Sequence, residues 1–222
     1  MGFVSKFCTF ILIAGSVIFL IGGWLAQQQV LKRIRCEMTY SSPKVVPEKF
    51  HDERADGYSL WKYEDGLNKQ PVLFIPGHIG STTHARGLAA SIHNKDNVFH
   101  YFTVGFGRQA SAYHASTILN QAIYVNEAIR HIQSLYKANN TYQSIPRIII
   151  AGHSTGGMVA RTALTLENHP EDCPINAIVM LATPNKSPAY SPDASMDELY
   201  YAVNRAWKQS FFPESIGKNR IK

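Results

Sequence analysis

The sequence predicts an α/β domain, a mainly parallel sheet with helices on both faces, preceded by one N-terminal membrane-spanning helix. The first observation is an uncharged apolar run at residues 7–26. The second is the alternation of short apolar strands with helical patterns from residue 58 onward. The third is the stretch GHSTG (152–156), which places a serine between glycines where a strand pattern gives way to a helical one.

The composition indicates a folded domain and argues against several other classes of protein. Of the 222 residues, 45% are hydrophobic, and there is no low-complexity segment or internal repeat, so disorder is not expected. The net charge is +6, but the basic residues are scattered and form no stripe that would bind nucleic acid. We expect no nucleic-acid partner, no metal site and no cofactor.

The run FCTFILIAGSVIFLIGGWLA (7–26) follows a short tail, 1–6, and has the length of a membrane span. About twenty helical residues, at about 1.5 Å each, cross the hydrocarbon core of a bilayer. A cleaved signal peptide is the alternative, but its apolar stretch is normally about 7–15 residues long and ends in a small-residue cleavage site. The segment GGWLAQQQ (22–29) is a poor site, so we predict an uncleaved anchor.

Indications of the side of the membrane on which the domain lies conflict. Three basic residues follow the apolar run and one precedes it, which favours a cytoplasmic domain. Asn139 begins a glycosylation sequon and Asn185 a second one, which would favour a lumenal domain. Cys36 and Cys173 could pair in an oxidising compartment or remain separate thiols.

The first half of the domain, predicted over 58–212, is rich in strands and follows a polar tether, 27–57. GYSLWKYED (57–65) alternates polar and apolar residues, which favours a strand. PVLFIPG (71–77) is an apolar run stopped by proline and glycine, the pattern of a buried strand that ends in a turn. HARGLAASIHN (84–94) has a helical pattern, and HYFTVGF (100–106) reads as another strand.

The second half contains the clearest helix, predicted over 115–138, before a final tail, 213–222. Its apolar residues recur every three or four positions and form one stripe. The run 147–151 is a strand that leads into the serine turn and a helix to about residue 168. INAIVMLATP (175–184) is a further buried strand, and SMDELYYAVNRAW (195–207) is the last helix.

Ser154 stands in a G-x-S-x-G motif, which indicates a nucleophile elbow when a strand precedes it and a helix follows. In such an elbow the serine occupies a strained turn that exposes its oxygen above the sheet. Gly152 and Gly156 leave the room that this bend requires. The N–H of Thr155 then lies at a helix N-terminus, where it can stabilise an oxyanion.

A second oxyanion donor is expected from PGHIGS (76–81), which follows an earlier strand. Because ligands of parallel sheets bind beyond the carboxyl ends of the strands, this loop and the serine turn can face each other across one crevice. The backbone N–H of His78 or of Ile79 is the candidate donor.

The base that would activate Ser154 is harder to find. In α/β-hydrolases the acid and then the histidine follow the serine along the chain. Only His169 does so, and it is predicted at the far end of the elbow helix, where a surface histidine is expected. Asp193 and Asp197 are candidates for the acid, although helix capping is the simpler interpretation. One strand follows the elbow strand instead of three, so we expect a hydrolase domain that is incomplete at its C-terminus.

The blocks PVLFIPGHIGS, HYFTVGF, IIIAGHSTGGMVART and IVMLATPNKSP, followed by YYAVNRAW, resemble the N-terminal catalytic region of the GPI inositol-deacylases. The resemblance covers about residues 36–207, and the order of these blocks is more specific than the serine motif alone. Two departures are His78, where relatives often carry asparagine, and Asn185, where many carry histidine.

The resemblance implies a serine esterase of the α/β-hydrolase type that removes the acyl chain from the inositol of GPI anchors. It also implies an endoplasmic reticulum membrane protein with a lumenal domain, Ser154 as nucleophile, and an acylated GPI or GPI-anchored protein as partner. The acid and histidine of the family would lie beyond Lys222, so we expect no deacylase turnover from the 222-residue form. Another membrane-anchored lipase or esterase, or a non-catalytic protein that binds a lipid or a partner, remains an alternative.

Overall fold

The computed structural model describes residues 2–33, 44–50, 57–63, 69–96, 98–138, 147–192 and 194–211. The chain divides into two compact units, Met1–Thr39 and Tyr40–Lys222. In the first unit, helix α1 (Gly2–Arg33) contains the predicted anchor. Its stretch Phe10–Gln28 has a mean hydropathy of 2.0 and is long and apolar enough, by length and composition, to cross a membrane. That it does so stays a prediction.

The second unit is built on a six-stranded sheet with the order β1-β2-β4-β3-β5-β6. Strand β3 is parallel to both β4 and β5, and β5 is parallel to β6. Among the strands that the structure describes, only β2 runs against its neighbours, β1 and β4, so the predicted mainly parallel sheet is confirmed. The strands are β1 (Val45–Pro47), β2 (Ser59–Tyr63), β3 (Gln70–Ile75), β4 (Phe99–Gly105), β5 (Ile148–His153) and β6 (Ile175–Leu181).

Helices cover both faces of this sheet, as predicted. Alternate residues of β3 point to opposite faces, because the side-chain period of a strand is two. Leu73 belongs to the larger core, with α3, α4 and α5, whereas Phe74 belongs to the smaller one, with α2. The helices are α2 (Arg86–Asp96), α3 (Ala115–Ala138), α4 (Thr155–Ala163) and α5 (Ala194–Phe211), with a short 3₁₀ turn (Thr82–Ala85) before α2.

The segment predicted as a tether, 27–57, is partly in regular structure, which corrects that boundary. Helix α1 extends to Arg33, and β1 pairs with β2 at the edge of the sheet. Oε2 of Glu48 lies 2.6 Å from Nζ of Lys62 in β2. The ring centroid of Phe50 lies 5.6 Å from that of Tyr124 in α3. An edge strand of three residues carries too little apolar pattern to be distinguished from a linker.

Helix α4 ends at Ala163, five residues before the predicted end at about 168. The N–H of Thr165 donates to the Thr162 carbonyl, 2.9 Å away, and that of Leu166 donates to the Ala163 carbonyl at 3.3 Å. Backbone hydrogen bonds between residues three apart thus replace the bonds between residues four apart that an α-helix requires. The Thr165 hydroxyl also bonds the Thr162 carbonyl, at 2.8 Å, and so removes an acceptor from a continuing helix.

Cys173 lies two residues before β6 and is 4% exposed. Burial, followed by the nearby Asp172 carboxylate, raises the pKa of its thiol to about 11. In a variant with Cys8 and Cys36 changed to serine, we expect iodoacetamide at pH 8 to alkylate Cys173 on the order of a hundredfold more slowly in the native protein than in urea. Mass spectrometry of the alkylated fraction checks this, and equal rates would contradict it. Cys36 lies outside the described residues, so its pairing stays open.

Candidate active site

Ser154 links β5 to α4 in a sharp turn, with φ of 54° and ψ of −127°. A residue other than glycine rarely adopts a positive φ, and such strain is characteristically held at functional sites. The turn is fixed on both sides: the Ser154 N–H donates to the Leu181 carbonyl at 2.8 Å, and the Gly157 N–H donates to the Ser154 carbonyl at 3.1 Å. The turn therefore has the strained strand-to-helix geometry that is expected of a nucleophile elbow.

The glycines around Ser154 are required by close packing. A Cβ atom on Gly152 would lie 2.5 Å from the Gly157 Cα, and one on Gly156 would collide with the carbonyl oxygens of Ile75 and Pro76. A Cβ on Gly157 would strike the side chain of Thr183, in the loop after β6. The G-x-S-x-G motif does not predict the role of Gly157, which lies one residue outside it, although the repeated glycine is a visible signal.

The loop 76–81 faces the elbow, as predicted from the two strand ends. A Cβ on Gly77 would lie 2.7 Å from the Cβ of Ser154 and 3.3 Å from its hydroxyl oxygen. Ser154 is partly exposed, and its side chain does not cap the helix that it begins. The hydroxyl therefore lies beside the loop 76–81, at the end of β5.

The two predicted donors in this loop differ in their hydrogen bonding. Ile79 has φ of 51°, and its N–H donates to the carbonyl of Gln109, 3.0 Å away. That N–H is thus already engaged in holding the loop. Of the two predicted donors, we therefore keep the His78 N–H, together with the Thr155 N–H at the start of α4.

The loop between β4 and α3, residues 106–114, forms hydrogen bonds with the side chains of both His78 and Thr155. The N–H of Ala112 donates to Nδ1 of His78 at 3.0 Å, which leaves the proton of the neutral ring on Nε2. The hydroxyls of Ser111 and Thr155 share a hydrogen bond of 2.9 Å, and Ser111 is 1% exposed. The role of this loop is not predictable from the sequence, because no motif marks it.

We expect Ser111→Ala to lower the free energy of unfolding by about 1–3 kcal/mol, because it leaves the buried Thr155 hydroxyl without this partner. The double variant Ser111→Ala/Thr155→Val removes both polar groups and should lose less. Urea unfolding of the two single variants and the double variant gives the coupling energy. Strictly additive losses would show that the two hydroxyls do not support each other.

Of the acid and base candidates, the two that the structure describes are each hydrogen-bonded to a residue other than Ser154. Nδ1 of His169 lies 3.1 Å from Oδ1 of Asn126 in α3, so this histidine supports the packing beyond α4. Asp197, in the first turn of α5, accepts a hydrogen bond of 2.8 Å from the hydroxyl of Ser191, which precedes that helix. Asp193 is outside the described residues. Among the residues that the structure describes, no group of three His, Cys, Asp or Glu side chains could hold a metal ion.

Arg161 of α4 holds the loop after β6 beside the elbow helix. Its guanidinium donates to the Asn185 carbonyl at 3.1 Å and to Oδ1 of Asn204 in α5 at 2.8 Å. The indole N–H of Trp207 donates back to the Arg161 carbonyl at 3.0 Å. Burial lowers the pKa of Arg161, but an arginine remains charged at neutral pH. These bonds fix α4, α5 and the loop that touches Gly157 as one unit.

Comparison with known proteins agrees with this geometry. The chain matches the family of the PGAP1-like alpha/beta domain over residues 66–219. A GPI inositol-deacylase of Aspergillus fumigatus is 37% identical over 180 residues, which is 71% of this chain and 16% of that protein. One from Phaeosphaeria nodorum is 34% identical over 220 residues, 84% of this chain and 21% of that protein. The chain thus spans about a fifth of the length of these relatives.

Solved structures with a similar fold are more distant. The siderophore hydrolase EstB from Aspergillus fumigatus has a TM-score of 0.47 and 14% identity, over 62% of this chain and 42% of that one. A thermostable carboxyl esterase from Bacillus coagulans has a TM-score of 0.47 and 12% identity, over 76% of this chain and 51% of that one. The family match covers most of the chain and includes the elbow. The chain therefore belongs to the PGAP1-like α/β domain family, which confirms its resemblance to the GPI inositol-deacylases and its α/β-hydrolase fold.

Proposed function

We propose that this chain carries the nucleophile and oxyanion donors of a GPI inositol-deacylase, a serine esterase that removes the acyl chain from the inositol of GPI anchors. The observation that carries the proposal is the strained Ser154, whose hydroxyl faces the loop of Gly77 across a short gap. The name of the relatives supports the substrate class.

In the proposed reaction, Ser154 Oγ attacks the ester carbonyl and its proton passes to a base. The N–H groups of His78 and Thr155 receive the negative charge that develops on the carbonyl oxygen. Collapse of the tetrahedral intermediate breaks the bond to the inositol oxygen, which takes up the proton from the base. The acyl group remains on Ser154 until water hydrolyses this second ester and releases the fatty acid.

The test of this substrate is a competition between esters. The membrane protein that carries this sequence, isolated from its own cells, is given inositol-acylated GPI, a phospholipid and a triacylglycerol together. We expect fatty acid from the GPI and a free inositol hydroxyl, both measured by mass spectrometry. Release from the phospholipid or triacylglycerol alone would favour another lipase, and release from none would favour a non-catalytic protein.

We also propose that the protein lies in the endoplasmic reticulum membrane with this domain in the lumen. The apolar stretch of α1 supports an anchor, and the sequon at Asn139 supports the lumenal side, although Asn139 lies outside the described residues. We expect Asn139→Gln to abolish an endoglycosidase-sensitive mobility shift. Asn185→Gln is the matched control and should retain the shift, because the side-chain amide whose nitrogen would carry a glycan has its oxygen buried, and Arg161 holds the carbonyl of the same residue. A domain that stays unglycosylated and reachable by protease from the cytosol would contradict the proposed orientation.

A further inference from the structure

Three loops surround the end of β5, and each exposes one large apolar or aromatic side chain. Ile79, in the loop after β3, is 47% exposed; Tyr113, after β4, is 43% exposed; and Tyr190, after β6, is 61% exposed. We call these three residues the apolar rim. Exposed apolar side chains that gather beside a crevice indicate a binding surface more often than scattered ones do.

Ring contacts connect the rim to the elbow. The His78 ring meets Tyr113 edge to face, with centroids 4.8 Å apart, and Tyr113 meets Tyr190 in the same way at 6.0 Å. His78 follows Gly77, where an added Cβ would lie 2.7 Å from the Cβ of Ser154. The hydrogen bond from Ala112 fixes the His78 ring at the inner end of this series. These ring contacts therefore join the loops after β3, β4 and β6 beside the turn that holds Ser154.

The backbone of Ile79 is strained. Its φ of 51° lies in the left-handed region, which a β-branched residue adopts only under strain. Glycine at this position would relieve the strain, yet the chain places a large apolar side chain there, about half exposed. Strain that persists beside a reactive group indicates a role for the side chain that causes it.

We propose that the apolar rim binds the acyl chain of the ester substrate, on the acyl side of the carbonyl that Ser154 attacks. This inference rests on the proposed ester hydrolysis and extends it to a binding subsite. An aliphatic chain gains about 0.8 kcal/mol for each CH₂ group that leaves water, so it fits such a surface. The polar inositol glycan gains nothing comparable from it.

Photolabelling tests the rim without requiring turnover. The whole chain with Ser154→Ala, in lipid nanodiscs, is irradiated with methyl palmitate that bears a terminal diazirine, and the labelled peptides are identified by mass spectrometry. We expect labels on the peptides of Ile79, Tyr113 or Tyr190, displaced by excess methyl palmitate but not by methyl acetate. The double variant Ile79→Ser/Tyr190→Ser should reduce this labelling about tenfold.

Tyr201→Ser is the matched control, because Tyr201 is 69% exposed on α5 and should not change the labelling. If the double variant fails to fold, Tyr190→Ser alone serves, since Tyr190 is the most exposed member of the rim. Labels confined to α1, or labels on the rim that methyl palmitate does not displace, would overturn the inference in favour of contact with the bilayer. Because Ser154 is absent from this assay, its result is separate from any failure of ester hydrolysis.

Discussion

Replacing Ser154 by alanine is expected to reduce ester hydrolysis by a factor of about 10⁴ or more, because the reaction loses its nucleophile while the fold is kept. The assay is release of fatty acid by the membrane protein that carries this sequence. Ser116→Ala, at an exposed serine of α3, is the matched control and should leave the rate unchanged. A rate in Ser154→Ala close to that of the unmodified protein would remove Ser154 from its proposed role.

A substitution at Ser154 that abolishes activity can also raise stability. Ser154→Gly relieves the positive φ of 54°, so we expect the free energy of unfolding to rise by about 1 kcal/mol, whereas Ser154→Ala retains the strain. If the glycine variant is more stable but inactive, the serine is required for the reaction and not for the formation of the turn. Urea unfolding of both variants measures this, and a Ser154→Gly variant less stable than Ser154→Ala would contradict it.

Gly156→Ala is expected to cause the largest loss of stability, about 3–5 kcal/mol. The added methyl group would enter the carbonyl oxygens of Ile75 and Pro76 at the end of β3. These are backbone atoms, so either β3 or α4 must shift, and the two loops of the crevice would shift with them. The measurement is the midpoint of urea unfolding.

Gly105→Ala is the control for this substitution. Its methyl group would meet Oγ of Ser59 at 2.6 Å and Cγ2 of Thr82 at 2.9 Å, which are side-chain atoms that rotation can move away. We therefore expect a loss of about 1 kcal/mol. Equal losses in Gly105→Ala and Gly156→Ala would show that contact with the end of β3 is not what requires a glycine at 156.

The sequence predicts those features that depend on neighbours along the chain. Helix α3 begins and ends where its apolar period does, at Ala115 and Ala138, because one stripe of residues faces the larger core. The elbow is equally local, since the strand, the serine turn and the helix all lie within about twenty residues. Helix α4 ends earlier than its sequence pattern predicts, because the hydroxyl and the N–H of Thr165 both bond the Thr162 carbonyl and close the last turn.

Bonds between distant segments could not be predicted in this way. The contact of Ala112 with His78 joins residues 34 positions apart, and that of Ser111 with Thr155 joins residues 44 apart. Neither pair carries a pattern in the sequence, yet both decide how the predicted oxyanion donors are held. The same limit applies to Ile79, whose N–H is engaged by a carbonyl on another loop.

The role of Ser154 is tested most directly by identifying the residue that a fluorophosphonate modifies. The membrane protein that carries this sequence is labelled, digested and analysed by mass spectrometry, with Ser154→Ala in parallel. A single adduct on Ser154, lost in the variant, is the result that we predict. An adduct on another residue, or labelling that persists in Ser154→Ala, would contradict it.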